Sequence, residues 1–242
     1  MRNDDFLEPG SKEQILKEAL KKKTPVLALC FQNEKKGEEG PAILFATRSR
    51  GPKEFFFPIS VKVSENVLSF EEPSTDEQES LGFVMAGIGN RGALRALVQD
   101  FETFLNDEVN TYGPHKNLKQ SLLRNFTTHL VEEFRSADYD VPYCVELLLV
   151  YCLGGSSLEM FRIKTDGDYR AVTPYCILGG YQKFKNTTTR ERALRLLRNL
   201  YRKGLPNRKS TERAARKILS WTKDAGEYTS HILSFSEESS KT

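Results

Sequence analysis

Thr24 lies where a predicted helix gives way to two apolar segments, and its type and position are the first indication of chemistry in this chain. A threonine hydroxyl becomes a nucleophile when a base takes its proton, and the free α-amine of the same residue can serve as that base. Here Lys23 precedes Thr24, so the amine is part of a peptide bond. The residue can act as a nucleophile only if residues 1–23 are removed.

Gly87, Gly89 and Gly92 have the spacing of a dinucleotide-binding turn between a strand and a helix. Such a site also needs a βαβ unit with an acidic residue about 20 positions further on, and the sequence pattern does not indicate one. Gly92 would lie one turn into the helix. Close packing of the strand against the helix explains the three glycines better.

Thiol and imidazole groups are spread too widely along the chain for a metal site. The cysteines, at positions 30, 144, 152 and 176, lie in apolar segments and form no Cys-x-x-Cys pair, so they are expected to be reduced core thiols. Of the three histidines, His129 lies near the apolar stripe of a predicted helix and is expected to be a partly buried structural residue. We expect no bound metal and no cofactor.

The segment 190–203 carries a dense group of cations, with Glu191 as its one acidic residue. The cations are Arg190, Arg192, Arg195, Arg198, Arg202 and Lys203. A basic helix face can contact RNA, but aromatic residues do not alternate with these charges to stack on bases. A solvated face or a subunit contact is the simpler explanation and nucleic acid is not the expected partner. An RNA- or partner-binding module stays open as an alternative.

Length and composition favour one globular domain without a membrane span. The chain has 242 residues, of which 38% are hydrophobic and 29% charged, and its formal net charge is +3. Its longest apolar run, Val145–Leu153, is far shorter than the roughly 20 residues of a transmembrane helix. The first ten residues are polar and unlike a secretory signal, so we expect a cytoplasmic protein.

Predicted helices and strands follow one another in groups. Ser11 and Gln14 form a capping-box pattern for a leading helix over 11–23, and the runs Val26–Phe31 and Ala42–Thr47 predict a β-hairpin. Further strands are expected at 55–57, 67–70, 83–86, 145–151, 158–163, 169–172, 175–178 and 228–235. Further helices are expected around 94–105 and at 117–134, 190–203 and 211–223.

The grouping of the helices into consecutive pairs argues against a simple βαβ alternation. It favours an α+β fold, a four-layer αββα sandwich in which two antiparallel sheets pack on each other and a helix pair flanks each outer face. We expect a flexible segment at 1–10, a single domain at 11–235 and a disordered polar tail at 236–242.

Taken in order, four segments resemble a proteasome subunit of the α, outer-ring type, within the N-terminal-nucleophile (Ntn) hydrolase superfamily. Residues 11–29 resemble the leading helix and turn before the first strand of that family, and 110–118 resemble its Tyr-Gly before the second long helix. Residues 141–150 are similar to its Arg-Pro-Tyr-Gly-Val strand, and 159–180 to its hairpin ending in Ile-Gly-Ser-Gly. The resemblance covers nearly the whole chain and is closest to bacterial α subunits.

The chain also departs from the family pattern. It lacks the Tyr-Asp-Arg opening and the Gly-Arg-Leu-x-Gln-Val-Glu-Tyr-Ala signature of α subunits. Gly179-Gly180-Tyr181 stands where the family has Gly-Ser-Gly. The resemblance is therefore to a divergent member.

The resemblance implies that Thr24 is inert and that no residue is catalytic. Active members combine a free threonine amine, a lysine that lowers its pKa, an orienting aspartate and a backbone N–H for the oxyanion. Here Lys23 replaces the glycine that usually precedes a self-processed threonine, and Arg48 stands at the aspartate position. A cation there would repel a protonated catalytic lysine rather than orient it.

The function that the resemblance implies is that of a non-catalytic, gating subunit in protein degradation. Its copies would form a ring, heptameric by resemblance, that binds β-type subunits and an ATPase or other activator ring. A docking pocket for the C-terminal carboxylates of activators is implied at Lys62, Gly87 and Ile88. An active threonine peptidase, released by removal of residues 1–23, is the alternative.

Overall fold

The computed structural model describes residues 20, 23–34, 40–48, 56–59, 81–112, 117–136, 145–153, 157–164, 166–180, 182–184, 186–223 and 226–234. Its strands are β1 (Val26–Asn33), β2 (Gly40–Arg48), β3 (Phe56–Ile59), β4 (Leu81–Gly89), β5 (Val145–Leu153), β6 (Ser157–Lys164), β7 (Tyr169–Ala171), β8 (Tyr175–Leu178) and β9 (Tyr228–Ser234). Its helices are α1 (Arg91–Tyr112), α2 (Leu118–Ser136), α3 (Thr187–Leu200) and α4 (Arg208–Leu219). The predicted segment 1–10, the tail 236–242, the strand 67–70 and, apart from Leu20 and Lys23, the helix 11–23 lie outside the described residues.

The described strands form two antiparallel sheets. One has four strands in the order β8-β1-β2-β9 and the other has five in the order β3-β4-β5-β6-β7. β1 and β2 pair as predicted, from Val26 opposite Thr47 to Asn33 opposite Gly40. β6 and β7 form the second predicted hairpin, whose turn contains Gly167 with φ +81°.

Three apolar clusters order the sheets and helices into layers. The cluster between the two sheets includes Val26, Phe45, Val84, Leu148 and Met160. The cluster between the five-stranded sheet and α1–α2 includes Met85, Leu97, Phe101, Phe126 and Leu149. The cluster between the four-stranded sheet and α3–α4 includes Leu29, Leu44, Leu197, Ala215 and Ile218. Successive strand residues point to opposite faces, so each sheet serves two clusters, and the α+β class with two packed antiparallel sheets is confirmed.

The apolar stripes of α1 and α2 match their sequence patterns. Leu94, Leu97, Val98, Phe101 and Leu105 are buried, whereas Phe104 is partly buried at the edge of the same cluster. The predicted stripe of α2, namely Leu118, Leu122, Phe126 and Leu130, is buried as well. No helix within the described ranges combines the length and apolar character of a membrane span.

The predicted starts of α3 and α4 were each about one turn too late. α3 begins at Thr187 because the Asn186 side chain caps it, accepting a hydrogen bond from the Thr189 N–H at 2.7 Å. α4 begins at Arg208 because Asn207 caps it in the same way, with the Ser210 N–H at 3.0 Å. The first turns of both helices are polar and carry no apolar periodicity. A prediction from the apolar stripe therefore starts each helix one turn late.

Candidate functional site

Thr24 and Pro25 lead directly into β1 at one end of the four-stranded sheet. Thr24 is partly exposed and Pro25 is buried. The hydroxyl of Thr47 donates a buried hydrogen bond to the Pro25 carbonyl at 2.9 Å. Val26 pairs with Thr47, and Arg48, the last residue of β2, pairs with Tyr228 of β9. The end of β2 thus holds the residue that follows Thr24.

The chain before Thr24 is held at the same end of the sheet. The carbonyl of Leu20 accepts hydrogen bonds from the Gly180 N–H at 3.3 Å and from the Lys23 N–H at 3.2 Å. The Leu20 side chain packs against the cluster between the two sheets. Leu20, four residues before Thr24, is thus tied to the domain by both its backbone and its side chain.

Gly179 and Gly180, which follow β8, allow this close approach. Both have positive φ, +54° and +66°, a conformation that L side chains rarely adopt. A Cβ atom on Gly180 would lie 2.5 Å from Cβ of Pro25, and one on Gly179 would lie 2.0 Å from Cδ1 of Ile88. Glycine is required here by backbone conformation and by space.

A buried ion pair supports the turn that contains the two glycines. Glu146 of β5 is 3% exposed, and the guanidinium of Arg162 in β6 contacts its Oε1 through Nε and a terminal nitrogen. Oε2 accepts a hydrogen bond from the Gly179 N–H at 2.7 Å. Both carboxylate oxygens therefore have donors, and the pair connects the five-stranded sheet to the end of β8.

Glu146 is not among the predicted site residues, although it is a lone acid within the apolar run of β5. A buried carboxylate without a partner would be very unfavourable, so this position called for a nearby cation. Arg162 on the adjacent strand supplies this cation. The pairing of Ile163 with Leu147 brings Arg162, next to Ile163, close to Glu146, next to Leu147. That pairing is a tertiary feature which the single acid in the sequence does not specify.

These contacts define the chemistry available around Thr24. Its amine is bonded to Lys23, the following residue Pro25 is held by Thr47, and the buried carboxylate of Glu146 is committed to Arg162 and Gly179. A general base must be within hydrogen-bond reach of the proton that it accepts. The arrangement favours structural support of the chain around Thr24 over activation of its hydroxyl.

The docking pocket was expected at Lys62, Gly87 and Ile88, and the structure describes Gly87 and Ile88, which are both buried. A Cβ on Gly87 would lie 2.4 Å from Cδ2 of Leu94, and Ile88 is 6% exposed between the two sheets. Lys62 lies outside the described residues. The docking pocket stays a prediction.

Packing and helix capping account for the glycine motif at 87–92. Oδ1 of Asn90 accepts hydrogen bonds from the N–H groups of Gly92, at 2.9 Å, and Ala93, at 3.2 Å. These are donors that a phosphate at a helix N-terminus would use. Together with the contact of Gly87 on Leu94, they support the packing explanation over nucleotide binding.

The buried thiols and His129 have structural surroundings. Cys30 and Cys176 are free, and burial raises the pKa of each thiol to about 12, which disfavours the nucleophilic thiolate. Nε2 of His129 lies 3.3 Å from Oδ2 of Asp100, and its ring packs edge-on against Phe104. Across the described part of the chain, no group of three or more His, Cys, Asp or Glu residues could hold a metal ion.

Comparisons with known proteins add no relative to this picture. No protein-family model matches the chain, and no curated protein matches it in sequence.

Proposed function

We propose that this chain is a non-catalytic subunit with the Ntn-hydrolase fold, of the α type that forms the outer ring of a proteasome-like core particle. In that role it gates substrate access and docks activators during protein degradation. The observation that carries the proposal is the hydrogen bond from the Gly180 N–H to the Leu20 carbonyl. It ties Leu20, which lies before Thr24, to the folded domain.

The arrangement of the layers supports the fold assignment. α1 and α2 follow β4 and cover the five-stranded sheet, while α3 and α4 follow β8 and cover the four-stranded sheet. Consecutive helix pairs on the two outer faces are what the resemblance to proteasome subunits implies. Thr24 then stands at the start of the first strand, where active relatives carry their nucleophile.

The contacts of Leu20 separate the proposed function from its alternative. An active peptidase would have to lose residues 1–23, and with them the Gly180 to Leu20 hydrogen bond and the packing of Leu20 between the sheets. By resemblance, Arg48 would also stand in place of the aspartate that orients the catalytic groups of an active peptidase. Both features favour a subunit that keeps its leading segment.

The ring is the part of the proposal that the resemblance implies, and the leading segment is its expected contact. A predicted helix over 11–23 is too short to be stable alone in water, so it must pack on its own domain or on a neighbouring subunit. Leu20 already contacts the domain. We expect the remainder to contact a neighbouring copy in a ring, heptameric by resemblance, with Lys62 beside Gly87 and Ile88 receiving activator carboxylates.

Electron microscopy of the purified chain tests this proposal. We expect rings with a central pore in negative stain, and a matching high mass in sedimentation. Deletion of residues 1–22 should leave monomers or aggregates. A well-behaved monomer of the full chain, with or without added β-type subunits, would contradict the proposed role.

A further inference from the structure

The outer layer formed by α3 and α4 has a charge opposite to that of the rest of the chain. Residues 182–223 contain 14 lysines and arginines but only two acids, Glu191 and Glu212, which gives a net charge of +12. The other 200 residues contain 22 basic and 31 acidic side chains, a net charge of −9. The modest total of +3 therefore conceals one strongly basic surface.

The cations lie in two stripes on the outer surface of this layer. Along α3 and its following turn, the exposed stripe consists of Arg192, Arg195, Arg198 and Arg202. Along α4, it consists of Lys209, Arg213, Arg216 and Lys217. The opposite sides of both helices carry buried residues such as Leu197 and Ile218. We call these eight exposed cations the α3–α4 basic face.

The two acids of this layer do little to neutralise the basic face. Glu212 is paired within α4 with Arg208, with 2.9 Å between Oε1 and Nε. Glu191 is exposed in the first half of α3. Among the described residues, no hydrogen bond or ion pair joins Arg195 or Arg198 to another side chain. Cations spaced three or four residues apart along a helix also repel one another. An external polyanion would relieve that repulsion.

Two aromatic residues fix guanidinium groups at the edges of the basic face. The guanidinium of Arg192 lies over the Trp221 ring at 5.0 Å, and that of Arg216 lies over the Tyr228 ring at 4.0 Å. Each stacked guanidinium keeps N–H donors in a planar fork that matches phosphate oxygens. Because the rings are covered by arginines, they are not available to stack on bases.

The composition of the basic face favours nucleic acid over a protein or membrane partner. A protein interface has an apolar or aromatic centre depleted of charge, and membrane-surface helices insert apolar side chains. In the described residues of this layer, the exposed large hydrophobic residue is Leu205, in the turn between the helices. By contrast, Arg192 to Arg198 spans about 9 Å of helix, with Arg202 in the turn beyond it, and a duplex presents several phosphates over that length.

We propose that the α3–α4 basic face binds the phosphate backbone of a double-stranded nucleic acid, without reading its bases. This activity is additional to the proposed ring function and does not depend on it. It requires no conformational change in the described residues, since the cations are already exposed.

Fluorescence anisotropy with labelled 20-base-pair DNA and RNA duplexes tests the proposal. The R195Q/R198Q/R202Q variant removes three charges from the basic face. Its control, R91Q/R95Q/R124Q, removes three exposed cations from α1 and α2 on the other outer layer. Circular dichroism and thermal denaturation establish that both variants are folded.

We expect wild type to bind a duplex with an affinity that falls linearly on logarithmic axes between about 50 and 200 mM salt. The R195Q/R198Q/R202Q variant should bind at least about tenfold more weakly, with a salt slope smaller by up to about 2.7, or 0.9 for each lost phosphate contact. The control should keep the wild-type slope. Tighter binding of the DNA or of the RNA duplex identifies the helical form preferred, and equal binding indicates contacts to phosphates alone.

Three results would overturn the proposal: absence of saturable duplex binding at about 50 mM salt, equal losses in both variants, or an unchanged slope in R195Q/R198Q/R202Q. Poly-glutamate of matched charge is the competing probe. If it binds as tightly as the duplexes, the face is a site for acidic protein instead. Ring formation is measured separately in the microscope, so the two proposals fail independently.

Discussion

Gly180 donates its backbone N–H to the carbonyl of Leu20, and this contact joins the turn after β8 to the chain in front of β1. Its geometry depends on Gly180 lying directly against Pro25, which Thr47 in turn holds from β2. Three distant parts of the sequence thus meet at Pro25, directly after Thr24. The position of Thr24 is consequently set by its neighbours on both sides.

Gly180→Ala should destabilise the domain at this junction. The new Cβ would lie 2.5 Å from Cβ of Pro25, and the residue would have to keep φ near +66°. Backbone strain of this kind costs about 1–3 kcal/mol, and displacement of Pro25 adds to it. We expect a loss of about 2–4 kcal/mol in the free energy of unfolding, measured by urea denaturation.

Gly204→Ala is the matched control for Gly180→Ala. Gly204 also has positive φ, +106°, but a Cβ there meets no atom within 4 Å. Gly204→Ala should therefore lower the free energy of unfolding only by the backbone strain of a positive φ, about 1–2 kcal/mol. Equal losses in the two variants would show that contact with Pro25 does not contribute.

Arg162→Met should be strongly destabilising because it leaves the Glu146 carboxylate buried without its cation. Breaking one partner of a buried ion pair typically costs about 3–5 kcal/mol. Arg208→Met removes the cation of an exposed pair with Glu212 and should cost no more than about 1 kcal/mol. If chemical denaturation gives similar losses for both, the buried pair does not support the turn at Gly179.

Cys30 and Cys176 should resist alkylation in the native protein. Burial raises the pKa of both thiols to about 12, from an ordinary value of 9.0, so the reactive thiolate is scarce at mildly alkaline pH. Iodoacetamide treatment followed by peptide mass spectrometry should find both residues modified only after denaturation. Rapid labelling of either one in the folded chain would contradict the packing of β1 against β8.

Tyr201→Phe should weaken the contact between the end of α3 and β1. Tyr201 is partly buried, and its hydroxyl donates a hydrogen bond to the Cys30 carbonyl at 2.7 Å. Loss of one such hydrogen bond costs about 0.5–1.5 kcal/mol. Thermal denaturation measures this loss of stability. In the same experiment Tyr169→Phe, at a tyrosine that is 45% exposed, should leave the stability nearly unchanged. If Tyr201→Phe leaves the stability unchanged, the hydrogen bond to Cys30 does not stabilise the fold.

Local patterns in the sequence were sufficient for the hairpins, the stripes of α1 and α2, and the α+β class. Strand alternation and helical periodicity are patterns of a few neighbouring residues, so they can be recognised without the tertiary structure. The starts of α3 and α4 were misplaced because Asn186 and Asn207 cap them through polar side chains that belong to no stripe.

The candidate site was only partly predictable for a different physical reason. Thr24 and Arg48 could be named from their positions along the chain, whereas Glu146, Arg162 and Gly180 act through contacts between distant strands. A lone glutamate in an apolar strand signals that a partner exists but does not identify it. The cations at 190–203 were noted in the sequence, but the second stripe on α4 was not, because joining the two into one face required the packing of both helices.

The intact mass of the protein, expressed from Met1 to Thr242 and purified after assembly with β-type subunits, tests the inertness of Thr24 most directly. We expect a single species near the full mass of 27.6 kDa, unchanged by a covalent threonine-directed inhibitor, because the amine of Thr24 stays bonded to Lys23. A species that lacks residues 1–23, begins at Thr24 and gains the mass of the inhibitor would show that the chain is an active peptidase.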